Sequence, residues 1–180
     1  MPEHIIDSCS LINLYSGWGQ LAELESLSSK WYVGDTAVTE SEFVREYQLD
    51  HSKKLVPLDL QPSIKRGVII PVSLWTEAEY EDFVNFAGEL DDGEAQALAI
   101  ARHRKFVLLT DDRRAIRMAG RVDIDVPTIS TPDILKRWSD LSKINERRLA
   151  VVIPRIVDLA RFTPGPSSPL YDWWMSYLDA

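Results

Sequence analysis

The sequence predicts an α/β protein, a central and mostly parallel sheet flanked by helices, and three observations carry that prediction. Short apolar runs at 4–6, 31–33, 68–72, 106–110 and 124–129 alternate with stretches patterned as helices, which is the arrangement of a parallel, helix-covered sheet. The chain has 180 residues, 45% of them hydrophobic and 27% charged, enough for one well-formed core and unlike a disordered chain. Finally, no apolar run approaches the roughly 20 residues that a membrane helix needs, and the N-terminus lacks a signal-peptide pattern.

Taken in order, His4–Ile5–Ile6 reads as a brief buried strand ending at Asp7, followed by a turn into a helix with Leu11, Ile12 and Leu14. Residues 21–27 read as a further helix and 31–33 as a strand. Thr39–Glu40–Ser41–Glu42 has the form of a capping box, so a helix is expected to start there with Glu42 and Glu46 on one face. Residues 52–66 read as an irregular connection with a short helix near 62–65. Pro71 marks the 68–72 strand as an edge or a strand end. The acids and aromatics of 76–86 have helical spacing.

The most informative stretch is Glu89–Leu90–Asp91–Asp92–Gly93–Glu94–Ala95–Gln96–Ala97–Leu98. Asp91 or Asp92 can cap a helix, and with Asp91 as cap Glu94 completes a capping box. Glu94, Ala97, Leu98 and Ala101 then share one face, a carboxylate at the end of an apolar stripe. Arg102–His103–Arg104–Lys105 suits a helix C-terminus. Phe106–Val107–Leu108–Leu109–Thr110 reads as a buried strand running into Asp111–Asp112, and a helix with Arg113, Arg114, Arg117 and Arg121 follows. Pro132 opens a helix through Trp138. The pattern divides the chain into a body, 1–141, and a C-terminal extension, 142–180. In the extension Pro154 should kink or split an apolar helix over 145–162.

The isolated acids fall at equivalent places: Asp7, Asp111 and Asp112 after strands, Glu42 and Glu94 in first helical turns. A parallel sheet brings strand ends and the helix starts that follow them to one edge, where α/β sheets bind ligands. Carboxylates gathered there stay ionised only beside a cation, and oxygen ligands suit Mg²⁺ or Mn²⁺. Such a cluster can support phosphodiester hydrolysis. Alternatively Asp7 and Glu94 are ordinary helix caps. A single cysteine, Cys9, allows no intramolecular disulfide, fits a reducing cytoplasm and, with three scattered histidines, makes no zinc site. The net charge of −8 argues against binding nucleic acid through bulk charge but not against a metal-centred nuclease. An aspartyl-nucleophile hydrolase would want a second acid two residues after Asp7, where Cys9 stands.

Ile5–Ile6–Asp7–Ser8–Cys9–Ser10–Leu11–Ile12, Thr39-x-x-Glu42, Asp92–Gly93–Glu94–Ala95–Gln96–Ala97–Leu98–Ala99 and Leu108–Leu109–Thr110–Asp111–Asp112 together resemble the PIN-domain nucleases, in that family's order, over residues 4 to about 138. The resemblance implies a PIN-like three-layer fold and a metal-dependent ribonuclease acting on single-stranded RNA. Many such enzymes are the toxin of a toxin–antitoxin pair (VapC-like). By motif, Asp7, Glu94 and Asp112 would ligate Mg²⁺ or Mn²⁺, with Asp111 as the alternative to Asp112. Glu42 would assist, with Glu40 as its alternative. The expected partners are RNA, an antitoxin-like protein and a second copy of the chain. Substrate contact is expected from Arg113 and Arg114 above all, within a basic series that includes Arg102, Arg104, Lys105, Arg117 and Arg121. The other reading is a catalytically inactive PIN-like module that binds RNA or protein. The terminal aromatics Tyr171, Trp173, Trp174 and Tyr177 are either core residues or anchors for a protein partner.

Overall fold

A computed structural model describes residues 2–39 and 43–178. Glu40, Ser41 and Glu42, and with them the expected start of a helix at the Thr39 signature, lie outside the described residues. Five parallel strands form the central sheet: β1 (Glu3–Ile6), β2 (Lys30–Gly34), β5 (Ile70–Val72), β6 (Val107–Leu109) and β7 (Thr128–Ile129). Their order across the sheet is β5-β2-β1-β6-β7, with Ile5 opposite both Tyr32 and Leu108.

The sheet is buried on both faces because successive side chains point to opposite sides. Ile6, Val33, Leu109 and Ile129 pack into one core with helices α1 (Ser8–Trp18), α7 (Thr131–Asp140) and α8 (Lys143–Arg155). Ile5 and Leu108 pack into a second core with α4 (Glu77–Phe86), α5 (Asp92–Arg104) and α6 (Arg113–Ala119). The result is an α/β fold of helix, sheet and helix. Thr76 caps α4 with the full capping box that its sequence announces, Glu79 answering from the third position.

The structure corrects four expectations. Residues 43–46 are not helical: β3 (Phe43–Tyr47) pairs antiparallel with β4 (Lys53–Pro57), which occupies part of the expected irregular connection. Phe43, Val44, Tyr47, Leu55 and Val56 favour a pleated strand over a helix, and Glu46 goes with them. Thr39 ends the short helix α2 (Asp35–Thr39) instead of capping one, its hydroxyl donating to the Asp35 carbonyl at 2.8 Å. Residues 22–26 form a 3₁₀ turn rather than an α-helix. The run 124–129 contributes only Thr128–Ile129 to the sheet, since Asp125 takes a left-handed conformation (φ 49°) and Pro127 lacks an amide to donate. The short helix expected near 62–65 is α3 (Gln61–Lys65).

Pro154 lies inside α8, and the missing hydrogen bond is absorbed by a change of pitch: residues Ile156–Ala160 continue as a π-helical turn. Gly17 makes room for this segment, because a Cβ there would stand 2.8 Å from Ile156. After a loop, α9 (Tyr171–Met175) returns to the first core, where Trp174 is completely buried and meets Phe162 edge-on, ring centroids 5.6 Å apart. Trp173, Met175 and Tyr177 are half-buried against the same cluster. Trp174 is therefore a core residue, while Tyr171, Trp173 and Tyr177 keep part of their surface open.

Trp174→Ala is expected to destabilise the protein by about 3–5 kcal/mol, the cost of emptying a buried aromatic site. Urea unfolding measures it; an exposed docking residue would leave the midpoint in place.

Candidate active site at the carboxyl edge of the sheet

Asp7 leaves β1 with its amide donating to the Leu109 carbonyl at 3.1 Å, which fixes its backbone to the neighbouring strand. Its Oδ1 accepts from the Ser10 amide at 2.7 Å and caps α1, as the sequence proposed in its plainer reading. Yet its other oxygen, Oδ2, is buried with no hydrogen-bond partner among the described residues, and the residue is only 1% exposed. A cap needs one oxygen, so capping alone does not account for burying the second. Burial raises the Asp7 pKa to about 7, with the nearby Thr110 hydroxyl and the Ser10 amide opposing the shift and the Asp111 charge adding to it.

Glu94 stands in the first turn of α5 and is 3% exposed. It reaches back to the Asp91 amide, Oε2 accepting at 3.4 Å. Gly93 lets the starts of α5 and α1 meet: a Cβ on Gly93 would lie 2.5 Å from the Ser8 hydroxyl oxygen. That approach sets Glu94 Oε1 3.6 Å from the Cys9 thiol, which donates to it. Burial raises the Glu94 pKa, and the charge of Asp112 raises it further.

Asp111 and Asp112 have separate tasks. Asp112 caps α6, its Oδ1 accepting from the Arg114 amide at 2.7 Å and the Ala115 amide at 2.9 Å. Asp111 turns to the other side of the chain, where it accepts from Asn13 Nδ2 at 2.9 Å, the Ser10 hydroxyl at 3.3 Å, the Thr131 amide at 2.9 Å and the Thr131 hydroxyl. Four donors from α1 and α7 consume its oxygens, so Asp111 is a brace between those helices. Asp7, Glu94 and Asp112 are the acids whose charges act on Cys9, whose thiol donates to Glu94 Oε1. The thiol pKa is raised well above the usual value, first by loss of water around it and then by the charges of Asp7, Glu94 and Asp112.

A family model described as a PIN domain matches residues 3–148. The chain belongs to the PIN-domain family. PIN domains are generally nucleases and typically use divalent metals. No curated protein matches the chain.

In this PIN domain the donor set is all oxygen and suits a hard cation. The unpartnered Asp7 Oδ2 is the oxygen that such an ion would satisfy. Among the described residues Glu94 Oε1 accepts only from the Cys9 thiol, and Asp112 Oδ2 accepts no hydrogen bond. No three acids among the described residues already close to the spacing of a clasped ion. A cation held by Asp7, Glu94 and Asp112 would therefore require these side chains to move together, with water completing its shell.

Four arginines of the expected substrate surface have definite places. Arg102 is committed to Asp82 at 2.8 Å and Arg104 to Glu79 at 2.8 Å, so both staple α5 to α4. Arg104 holds Glu79 down to a pKa of about 2. Arg114 stands 3.9 Å from Asp91, 4.0 Å from Glu94 and 3.8 Å from Asp112, inside the acid cluster. Arg113 points to the opposite side, against the loop at Gly165, whose Cβ would lie 2.8 Å from its guanidinium.

The sequence reading missed Asp35 and Gln96. Asp35 follows β2 as Asp7 follows β1, and it accepts from the Gln96 amide; Gln96 Oε1 in turn accepts from the Thr36 amide at 3.1 Å. Gly34 permits this contact, since a Cβ would collide with Gln96 at 2.1 Å. The acid after the strand was the available signal.

The raised Asp7 pKa fixes the sign of a pH effect. Between the ordinary value of 3.8 and about 7 the folded protein keeps a proton that the unfolded chain has released, so raising the pH through this window lowers stability. In chelator, the melting temperature of the wild type should fall from about pH 4 to pH 7 and that of Asp7→Asn should fall less. Parallel curves for the two proteins would reject the burial argument.

Proposed function

We propose that the protein is a Mg²⁺- or Mn²⁺-dependent endoribonuclease acting on single-stranded RNA in the cytoplasm. The observation that supports it most is the buried Asp7 oxygen with no hydrogen-bond partner among the described residues, at the sheet edge where Glu94 begins α5 and Asp112 begins α6. Asp7, Glu94 and Asp112 would hold the ion; Asp111 would keep α1 and α7 in register beside it. A divalent ion held there supplies a polarised water and positive charge for in-line phosphodiester hydrolysis. Arg113, next to Asp112 and without a carboxylate in ion-pair reach among the described residues, would grip the substrate phosphate. Glu42 keeps the assisting role that the family resemblance implies.

One observation favours a second reading. Arg114 already brings a cation within 4.0 Å of Asp91, Glu94 and Asp112, as it would in an inactive module that binds RNA or protein without metal. Calorimetry separates the two. The nuclease binds Mn²⁺ in a manner that Asp7→Asn removes, and Glu94→Gln abolishes Mn²⁺-dependent cleavage of single-stranded RNA while circular dichroism stays unchanged. Cleavage by Glu94→Gln at the wild-type rate would refute the assignment, and absence of Mn²⁺ binding would establish the inactive module.

A cytoplasmic ribonuclease harms its host unless restrained, which supports a toxin held by a small antitoxin-like protein. Expression of the chain alone is expected to arrest growth, and expression with its genomic neighbours to restore growth and yield a co-purified complex. Size-exclusion chromatography of the purified chain reads its self-association. Harmless expression with no co-purifying protein would count against the toxin role and leave a housekeeping nuclease.

A further inference from the structure

A cavity of about 430 Å³ opens at the end of β6, on the side to which Asp111 and Arg113 turn. One wall is the edge of the sheet after β6 and β7, with Thr110, Arg113, Ile116 and Pro132; the other is the C-terminal loop, with Phe162, Pro164 and Ser167. The loop lies beyond residue 148, where the family match ends. The cavity is thus a feature that this chain's own extension builds onto the shared fold.

Its lining is mixed, apolar patches set among hydroxyl, carboxylate and guanidinium groups. Ile116 and the half-buried Phe162 offer apolar surface, with Pro132 and Pro164 buried behind them, and Ser167 offers a hydroxyl. The two carboxylates in the wall do not set a negative field against an anion unopposed, because both are already engaged. Asp111 accepts its four bonds from Ser10, Asn13 and Thr131, and Asp133 accepts from the Ser130 amide at 3.0 Å and the Ser130 hydroxyl. Arg113 stands at the boundary between the cavity and Asp112, with its guanidinium against Gly165 and uncommitted to any carboxylate among the described residues. A ligand with an anionic group at Arg113 and a flat apolar body against Phe162 fits this arrangement.

We infer that the cavity is a nucleoside pocket. It takes one unpaired nucleotide of the RNA, with the base between Ile116 and Phe162 and the phosphate at Arg113. This rests on the nuclease reading and adds to it a base-holding subsite supplied by the C-terminal extension. An RNA chain crossing the carboxyl edge would then be fixed by one base on the Arg113 side while its backbone passes Asp112.

The test is binding rather than cleavage. A fluorescently labelled single-stranded RNA pentamer is titrated in chelator, intact and with an abasic nucleotide at each position in turn. One abasic position should weaken wild-type binding about tenfold, the size of a single base-stacking contact. Ser167→Trp, which fills the cavity from an exposed position, should weaken the intact pentamer by a similar factor and erase the difference between intact and abasic RNA. Arg113→Ala should weaken both and reduce the salt slope by about 1. If Ser167→Trp fails to fold, Ile116→Ala replaces it in the same comparison. Equal binding of intact and all abasic pentamers by the wild type, or unchanged affinity in the pocket variant, would overturn the pocket. Cleavage lost in Glu94→Gln but no abasic penalty would overturn the pocket and leave the nuclease standing. An abasic penalty in a protein that cleaves nothing would do the reverse.

Discussion

Burying Asp7 at the end of β1 is the constraint on which the rest of the site depends. A carboxylate that loses its water must find donors, a proton or a cation. One oxygen is answered by the start of α1, and the other has no answer among the described residues. Everything nearby is arranged around that open valence. Gly93 brings the start of α5 against Ser8 and with it Glu94; Thr110 and Asp112 arrive from β6, the strand paired with β1. Each helix start contributes its own positive end, which makes the edge tolerable for three acids before any ion is bound.

The same edge has to be rigid, because a metal or phosphate site loses its geometry with small displacements. Rigidity comes from groups that do no chemistry themselves. Asp111 ties α1 to α7 through Asn13, Ser10 and Thr131, and Gln96 ties α5 to the start of α2. Adjacent residues at 111 and 112 therefore divide the work: one acid is spent on holding helices, the other keeps an oxygen free. Two neighbouring acids at a strand end look interchangeable in a sequence. Strand alternation sends them to opposite sides of the chain, and only one side holds donors in quantity.

That division shows what was legible and what was not. The parallel sheet, the cap at Asp7 and the helix that begins near Glu94 could be read locally, because apolar runs and capping patterns act over a few residues. The antiparallel pair β3 and β4 was missed for the opposite reason: a capping-box pattern at Thr39 outweighed a set of β-formers that only a partner strand makes decisive. Long-range pairings were out of reach as well. Asp111 with Asn13 and Thr131, Asp35 with Gln96, and Arg104 with Glu79 join residues that no spacing rule connects. The basic series illustrates the cost, since two of its arginines proved to be internal staples and one lies among the carboxylates.

The C-terminal extension follows from the same physics. α8 is amphipathic: Leu149, Val152 and Ile153 make one apolar face that has to be buried, and Gly17 gives it a seat on α1. Pro154 denies that helix a regular continuation, and the π-helical turn that follows redirects the chain across the sheet edge. Asp158, on that turn, receives Tyr47 and Lys53 from the β3–β4 hairpin, so the hairpin is held by the extension rather than by the sheet. Trp174 then anchors the returning segment in the first core. The loop between the π turn and Trp174 has both ends fixed and passes over Arg113. Its position beside the acids is thus a consequence of how the extension buries its own apolar face. Any substrate reaching Asp112 from that side must pass a wall that the sheet alone would not provide.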